Sequence, residues 1–275
     1  MLLFAALLIS VVVSLGISSC QKMYRPPLVI IPDPPPPPYV PLKSFWEFEN
    51  NVVDMGENRL DSPATNVSTK NVTYAAGIKG QALKLNGDGY VVYNNMRDSL
   101  KNLGAFTVSW WQNAGPALDA TGVFALSNTK TFWGNMEVFF ERFLTDATTG
   151  YLKVHLYNKN ATSKESWNEF KIPNVFGKWT HLAITYDSSS SRIKFYSDGV
   201  VYLNNVIQSG NYKGFAMEDA GGMSIGAMQF MTVPSLTAGG PQSWARNFNG
   251  LIDQFRIYNK PLTDAEIQAL FANKQ

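Results

Sequence analysis

The chain has 275 residues, with 23 Lys and Arg against 21 Asp and Glu, and this near-neutral balance argues against nucleic acid as a partner. Its single cysteine, Cys20, excludes an intramolecular disulfide and a thiolate metal cluster.

Residues 2–15 are almost wholly apolar. The run falls short of the ~20 residues of a membrane-spanning helix and suits the apolar region of an export signal. Small residues follow, and then Ile17-Ser18-Ser19-Cys20. This stretch resembles a bacterial lipobox, in which an aliphatic residue and two small residues precede a cysteine. The resemblance implies a signal peptide over residues 1–19, cleavage before Cys20 and lipidation of that cysteine. More than one acyl chain at one residue makes a stable membrane tether. Lys22, two residues after the cysteine, resembles an outer-membrane sorting pattern. The expectation is a lipid-anchored protein of the cell envelope, at the outer membrane, with the periplasmic and surface faces both open. Residues 20–42 are rich in proline, with five in a row at 34–38. Such a run adopts extended polyproline II at ~3.1 Å per residue, a semi-rigid spacer.

From residue 43 onward the pattern is one of short strands and turns. Phe106, Val108 and Trp110 share one face of an alternating stretch. Residues 151–157, 179–186 and 192–196 alternate in the same way. Asp198-Gly199 signals a hairpin turn into residues 200–203, because glycine takes positive φ without cost. Residues 250–258 form a late strand. Residues 95–103 suit a short helical turn. A second helix is expected over 263–271, where Thr263 and Glu266 make a capping box and Ile267, Leu270 and Phe271 one apolar face. Many short strands with turn-rich links argue for an all-β sandwich or jelly roll. Trp46, Trp110 and Trp179 sit in strand patterns and are expected in the core.

Several phrases occur together in order: Trp46-Glu47-Phe48, the loop around Asp54 and Gly56, the glycine-punctuated stretch from Gly77 to Gly89, and Phe106 to Trp111. They are followed by Trp179 to Asp187 and by a closing stretch from Phe248 to Ile267. This arrangement over residues 43–275 resembles the laminin-G-like domain of the concanavalin A-like lectin/glucanase superfamily. The resemblance implies a jelly-roll sandwich of two antiparallel sheets with a short C-terminal helix. It implies that the first and last strands lie side by side, and that the helix caps an open edge or end.

Domains of this kind often hold a structural calcium ion. Carried over, the resemblance implies Asp54 and Asp253 as its carboxylate ligands, a role that suits oxygen-seeking Ca2+. The alternative is that Asp54 caps a turn and Asp253 pairs with an arginine. Carbohydrate binding needs ring platforms at one surface. Trp133, Trp167 and Trp244 lie in polar, turn-like surroundings, and Trp111 points away from Trp110, so these four are the candidates for stacking on sugars. Glu137, Phe139 and Glu141 share a strand face and resemble in outline the Glu-Asp-Glu strand motif of glucanases. Phe139 replaces the central Asp that would tune a carboxylate pair. No catalytic residue is therefore assigned, and the two glutamates are expected to face solvent or polar ligand groups. His155 and His181 have no spacing that suits zinc or a triad. The resulting expectation is a non-catalytic recognition module for an extracellular glycan. An envelope protein as partner and a glycoside hydrolase are the alternatives.

Overall fold

The computed structural model describes residues 40–275. The expected signal peptide, the lipidated Cys20 and the tether up to residue 39 lie outside the described residues. In chain order the strands are β1 (Leu42–Trp46), β2 (Val67–Lys70), β3 (Thr73–Ala76), β4 (Gln81–Asn86), β5 (Tyr90–Tyr93), β6 (Phe106–Ala114), β7 (Ala120–Asn128) and β8 (Met136–Glu141). They continue as β9 (Gly150–Tyr157), β10 (Glu165–Ile172), β11 (Thr180–Asp187), β12 (Arg192–Ser197), β13 (Val200–Val206), β14 (Ala220–Ile225), β15 (Ala245–Arg246) and β16 (Asn249–Tyr258). Two α-helices join them, α1 (Asp98–Lys101) and α2 (Asp264–Ala272).

The strands make two eight-stranded sheets. The first runs β13-β12-β11-β6-β16-β4-β3, with β1 also on β16. The second runs β10-β9-β8-β7-β14-β5-β2, with the two-residue β15 parallel to β7. The remaining pairings are antiparallel, and this is the jelly-roll sandwich expected from the sequence. The first and last strands are neighbours, Phe45 opposite Arg256 and Trp46 opposite Phe255.

Side chains alternate across each strand, and the inward set fills the space between the sheets. Val108 and Trp110 of β6 and Leu182, Ile184 and Tyr186 of β11 meet Phe124, Val138, Phe140 and Val154 of the second sheet. An aromatic knot ties the two layers together. Phe124 lies 5.8 Å from Trp110 and 5.1 Å from Phe255, edge to face, and Trp46 lies 5.3 Å from Tyr93. Such pairs add ~0.5–1.5 kcal/mol each beyond burial.

Two expectations are corrected. Trp179 is not a core residue. It precedes β11 and is half-buried, because period two puts it on the face of His181 and Ala183, opposite Leu182 and Ile184. Helix α2 does not close an edge or end. It lies on the outer face of the first sheet, where Ile267 and Leu270 pack with Ala183, Tyr196, Tyr258 and Leu262. Its start is as expected. Thr263 Oγ1 accepts from the Glu266 amide at 3.2 Å, and the Glu266 carboxylate accepts from the Thr263 amide at 2.8 Å.

Candidate functional site

The outer face of the second sheet is built from residues of odd number on β8, β9 and β10. Glu137 lies opposite His155 and Phe139 opposite Lys153, and on the next strand Trp167 lies opposite His155. Two loops cross this face. One, between β7 and β8, carries Phe132 and Trp133. The other, between β14 and β15, carries Phe230 and Trp244. Gly122 of β7 makes the second crossing possible. A Cβ there would meet the Met228 amide nitrogen at 2.4 Å and the Ala227 carbonyl carbon at 2.7 Å, so only glycine lets the loop lie this close.

The loops bring Trp133, Trp167 and Trp244 into one aromatic patch. Trp133 stacks on Phe139 at 5.5 Å with ring planes 9° apart. Trp167 stands edge-on to Trp133 at 5.0 Å, and Trp244 is 6.1 Å from Trp133. Phe132 stacks on Phe230 at 4.4 Å. Beneath them Ala120, Phe139, Met228, Phe230 and Ala245 form a buried base. Trp167 and Trp244 each keep 42% of their surface exposed and Phe132 36%, so the rings are fixed from below and open from above.

Trp111 belongs elsewhere. It faces outward as expected, but on the first sheet and under α2. It stacks on Phe271 at 5.6 Å, donates its indole N–H to the Gln275 carbonyl, and is 4% exposed. That leaves no ring face for a sugar.

Glu137 corrects the expectation that it faces solvent. It is fully buried, and each carboxylate oxygen accepts a backbone amide, Oε2 from Gly134 and Oε1 from Gln229, both at 2.8 Å. Burial pushes its pKa up to about 7 against the pull of those two bonds. The Gln229 side chain extends the same lattice. Its Nε2 donates to the carbonyls of Thr131 and Phe132, and its Oε1 accepts from the Asn128 amide. Glu137 and Gln229 therefore clamp the two aromatic loops to each other and to the sheet. His155 donates from Nδ1 to the Gly134 carbonyl at 3.0 Å, and its ring centre is 4.6 Å from that of Trp167. Burial holds its pKa down to about 4, so the ring is neutral at physiological pH.

Beyond the rings the same face turns polar. Glu141 is partly exposed and pairs with Lys153 at 2.7 Å, and Lys153 also reaches Glu169 at 3.3 Å. Tyr151 donates to Glu169. Rings beside a belt of fixed donors and acceptors form a surface that can stack on sugar rings and bond their hydroxyls.

The two aspartates that the resemblance implies as calcium ligands are each bonded by backbone amides. Asp54 Oδ1 accepts from the amides of Phe45 and Gly56, and Oδ2 accepts from Leu60. Asp253 accepts from the amides of Lys79 and Gln254. Both carboxylates close backbone turns. Burial raises the Asp253 pKa to about 6 and that of Asp54 in the same direction.

Sequence reasoning missed Phe132, Phe139, Phe230, Gln229 and the buried role of Glu137. Phe132 was legible as the neighbour of Trp133, and Phe139 from strand parity. The stretch around Gln229 and Phe230 carries no periodic signal.

Residues 85–268 match a laminin G family described as the concanavalin A-like lectin/glucanases superfamily, and the chain belongs to that superfamily. No curated protein matches the sequence at a significant level. Among solved structures, the chain is similar to domain 4 of AbnA, a GH43 extracellular arabinanase from Geobacillus stearothermophilus, solved in complex with arabinotriose. The two are 20% identical with a TM-score of 0.55, over 83% of this chain and 97% of that one. It is also similar to the binding domain of botulinum neurotoxin DC in complex with rat synaptotagmin II (15% identity, TM-score 0.54, 85% of this chain and 51% of that one). A third is from botulinum neurotoxin type C, which enters cells in dependence upon interaction with two ganglioside molecules (15% identity, TM-score 0.57, 85% and 51%). The chain spans about half the length of these toxin binding domains. At these identities the likeness is one of fold.

Proposed function

We propose that the domain is a non-catalytic recognition module that binds an extracellular glycan on the patch of Trp133, Trp167 and Trp244. The observation that carries this reading is the convergence of the three tryptophans, from two loops and a strand, on one pre-organised surface beside a polar belt. The burial of Glu137, with both oxygens spent on backbone amides, speaks against a hydrolase. The arabinotriose complex of the AbnA domain and the ganglioside dependence of the type C toxin are consistent with a sugar ligand on this fold.

The test is binding of residues 40–275 to a panel of immobilised polysaccharides and mucin-type glycans. A saturable hit weakened at least tenfold by Trp133→Ala, Trp167→Ala or Trp244→Ala supports the proposal. Trp111→Ala lowers stability and leaves binding alone. A clean negative across the panel moves the assignment to a protein partner, because exposed tryptophans also make the anchors of protein interfaces. The synaptotagmin complex of a related fold fits that second reading.

The module acts, in this proposal, from the cell envelope, tethered at the outer membrane through lipid on Cys20. Metabolic labelling with a palmitate analogue checks this part. Label is expected on the wild type and lost in Cys20→Ser, and an unlabelled wild type removes the anchor from the proposal.

A further inference from the structure

Strand β10 is an edge of the second sheet and β13 an edge of the first. Phe170 of β10 stacks on Phe195 of β12 at 4.6 Å, so the two edges lie over one another. At one end they are tied. Gln208, just after β13, donates from Nε2 to the carbonyls of Ser163 and Glu165. At the other end they part around a cavity of about 370 Å³, lined by Tyr151, Glu169, Phe170, Lys171, Tyr202 and Leu203. That volume falls in the range of small-ligand sites.

Tyr202 owes its place to a bulge. Leu203 pairs with Phe195 and Val201 with Tyr196, and the residue between them has no mate on β12. The Tyr202 ring is 46% exposed, and among the described residues no other ring covers it. It is an open platform on one wall of the cavity.

The opposite wall continues into the aromatic patch. Trp167, Glu169 and Lys171 follow one another on the outer face of β10, and Glu169 and Lys171 also line the cavity. From Trp167 to Lys171 is ~13 Å along a strand, more than one pyranose ring spans. The charges along this path are balanced. Lys153 lies 2.7 Å from Glu141 and 3.3 Å from Glu169. Lys171 holds its ammonium over the rings of Tyr151 and Phe143, 5.6 and 5.3 Å from their centres, and the Tyr151 hydroxyl donates to Glu169. A sugar hydroxyl both donates and accepts, so it finds a partner at either sign. A charged group meets its own sign wherever it lies.

We propose that this cavity is a second subsite of the glycan site, and that the ligand is an uncharged oligosaccharide chain rather than a single terminal sugar. One end stacks on Trp167 and the other on Tyr202, with Glu169 and Lys171 bonding the hydroxyls between. This inference rests on the glycan reading above and adds to it the length, path and charge of the ligand.

The experiment is calorimetric titration of residues 40–275, whose two sheets close over one continuous core. The probes are cellotetraose, xylotetraose, mannotetraose, arabinotetraose and lacto-N-tetraose, the disaccharide of each series, and tetragalacturonate as the acidic chain. At least one neutral tetrasaccharide is expected to bind about tenfold tighter than its disaccharide, with tetragalacturonate inactive. Tyr202→Ala and, separately, Lys171→Ala should bring the tetrasaccharide down to the disaccharide level and leave the disaccharide unchanged. Both side chains are exposed, so the melting temperature should hold. Trp167→Ala should weaken both lengths. Equal affinity for the two lengths, a tetrasaccharide indifferent to Tyr202→Ala and Lys171→Ala, or tetragalacturonate bound as well as the neutral chains would each overturn the second subsite. If Trp167→Ala still weakened binding in those cases, the glycan reading would stand without it. No binding by any saccharide would overturn both.

Discussion

Glu137 places a carboxyl group where its neighbours carry rings, and its environment makes a defined pH signature. Its folded pKa of about 7 stands above the ordinary carboxylate value. Below the ordinary value both states hold the proton. As pH rises from about 4.5 to 7 the unfolded chain releases its proton first, and stability falls. The shift corresponds to roughly 3 kcal/mol at ~1.4 kcal/mol per pH unit. Glu137→Gln removes this titration, so the wild type should lose stability relative to the variant as pH rises from about 4.5 to 7, while Asp253 and Asp54, also raised by burial, titrate alike in both proteins. The buried histidines titrate with the opposite sign, losing stability as pH falls toward about 4 for His155 and about 3 for His181. They do so equally in both proteins and cancel in the difference. The glutamine also sets an amide N–H₂ against one of the two backbone amides, a clash of donors that costs ~1–3 kcal/mol and should loosen Trp133. Urea titrations across the pH range check this, and identical profiles would refute the role assigned to Glu137. At this scale the sequence was informative about type and silent about depth. Trp133, Trp167 and Trp244 stood out by their polar surroundings. Trp111 was assigned its correct outward direction, but parity along a strand cannot say that a helix will lie on that side.

Helix α2 shows the same division at the scale of an element. Its start was written in Thr263 and Glu266, because capping is a local exchange of hydrogen bonds within four residues. Its resting place was not, because docking depends on the outward residues of β11, β12 and β16, which are distant in sequence. Tyr196 and Lys194 of β12 both bond Asp264, and Phe271 covers Trp111. Thr263→Ala should therefore lower stability by ~1 kcal/mol, the usual worth of an N-cap. It should also increase the quenching of Trp111 by acrylamide. A stability loss without a change in Trp111 exposure would separate the cap from the lid. The Asp198-Gly199 hairpin was legible for an equally local reason, since both residues take positive φ, 50° and 79°.

The whole molecule was read well where strands alternate and poorly where they do not. The two sheets follow from period-two patterns and turn residues. The stretch over residues 226–244 has turn residues but no period-two pattern, and its course over the second sheet rests on Gly122 and Gln229, whose partners lie about a hundred residues away. One further consequence comes from the place of β16. It is the last strand in sequence, yet it sits at the middle of the first sheet, joining β6 on one side to β4 and β1 on the other. Until it is made, the two parts of that sheet have no common edge, and β1 waits for a mate more than 200 residues downstream. Pairing across so many residues is slow to nucleate. The first sheet of a nascent chain of this design therefore stays incomplete until its last strand, β16, has been made.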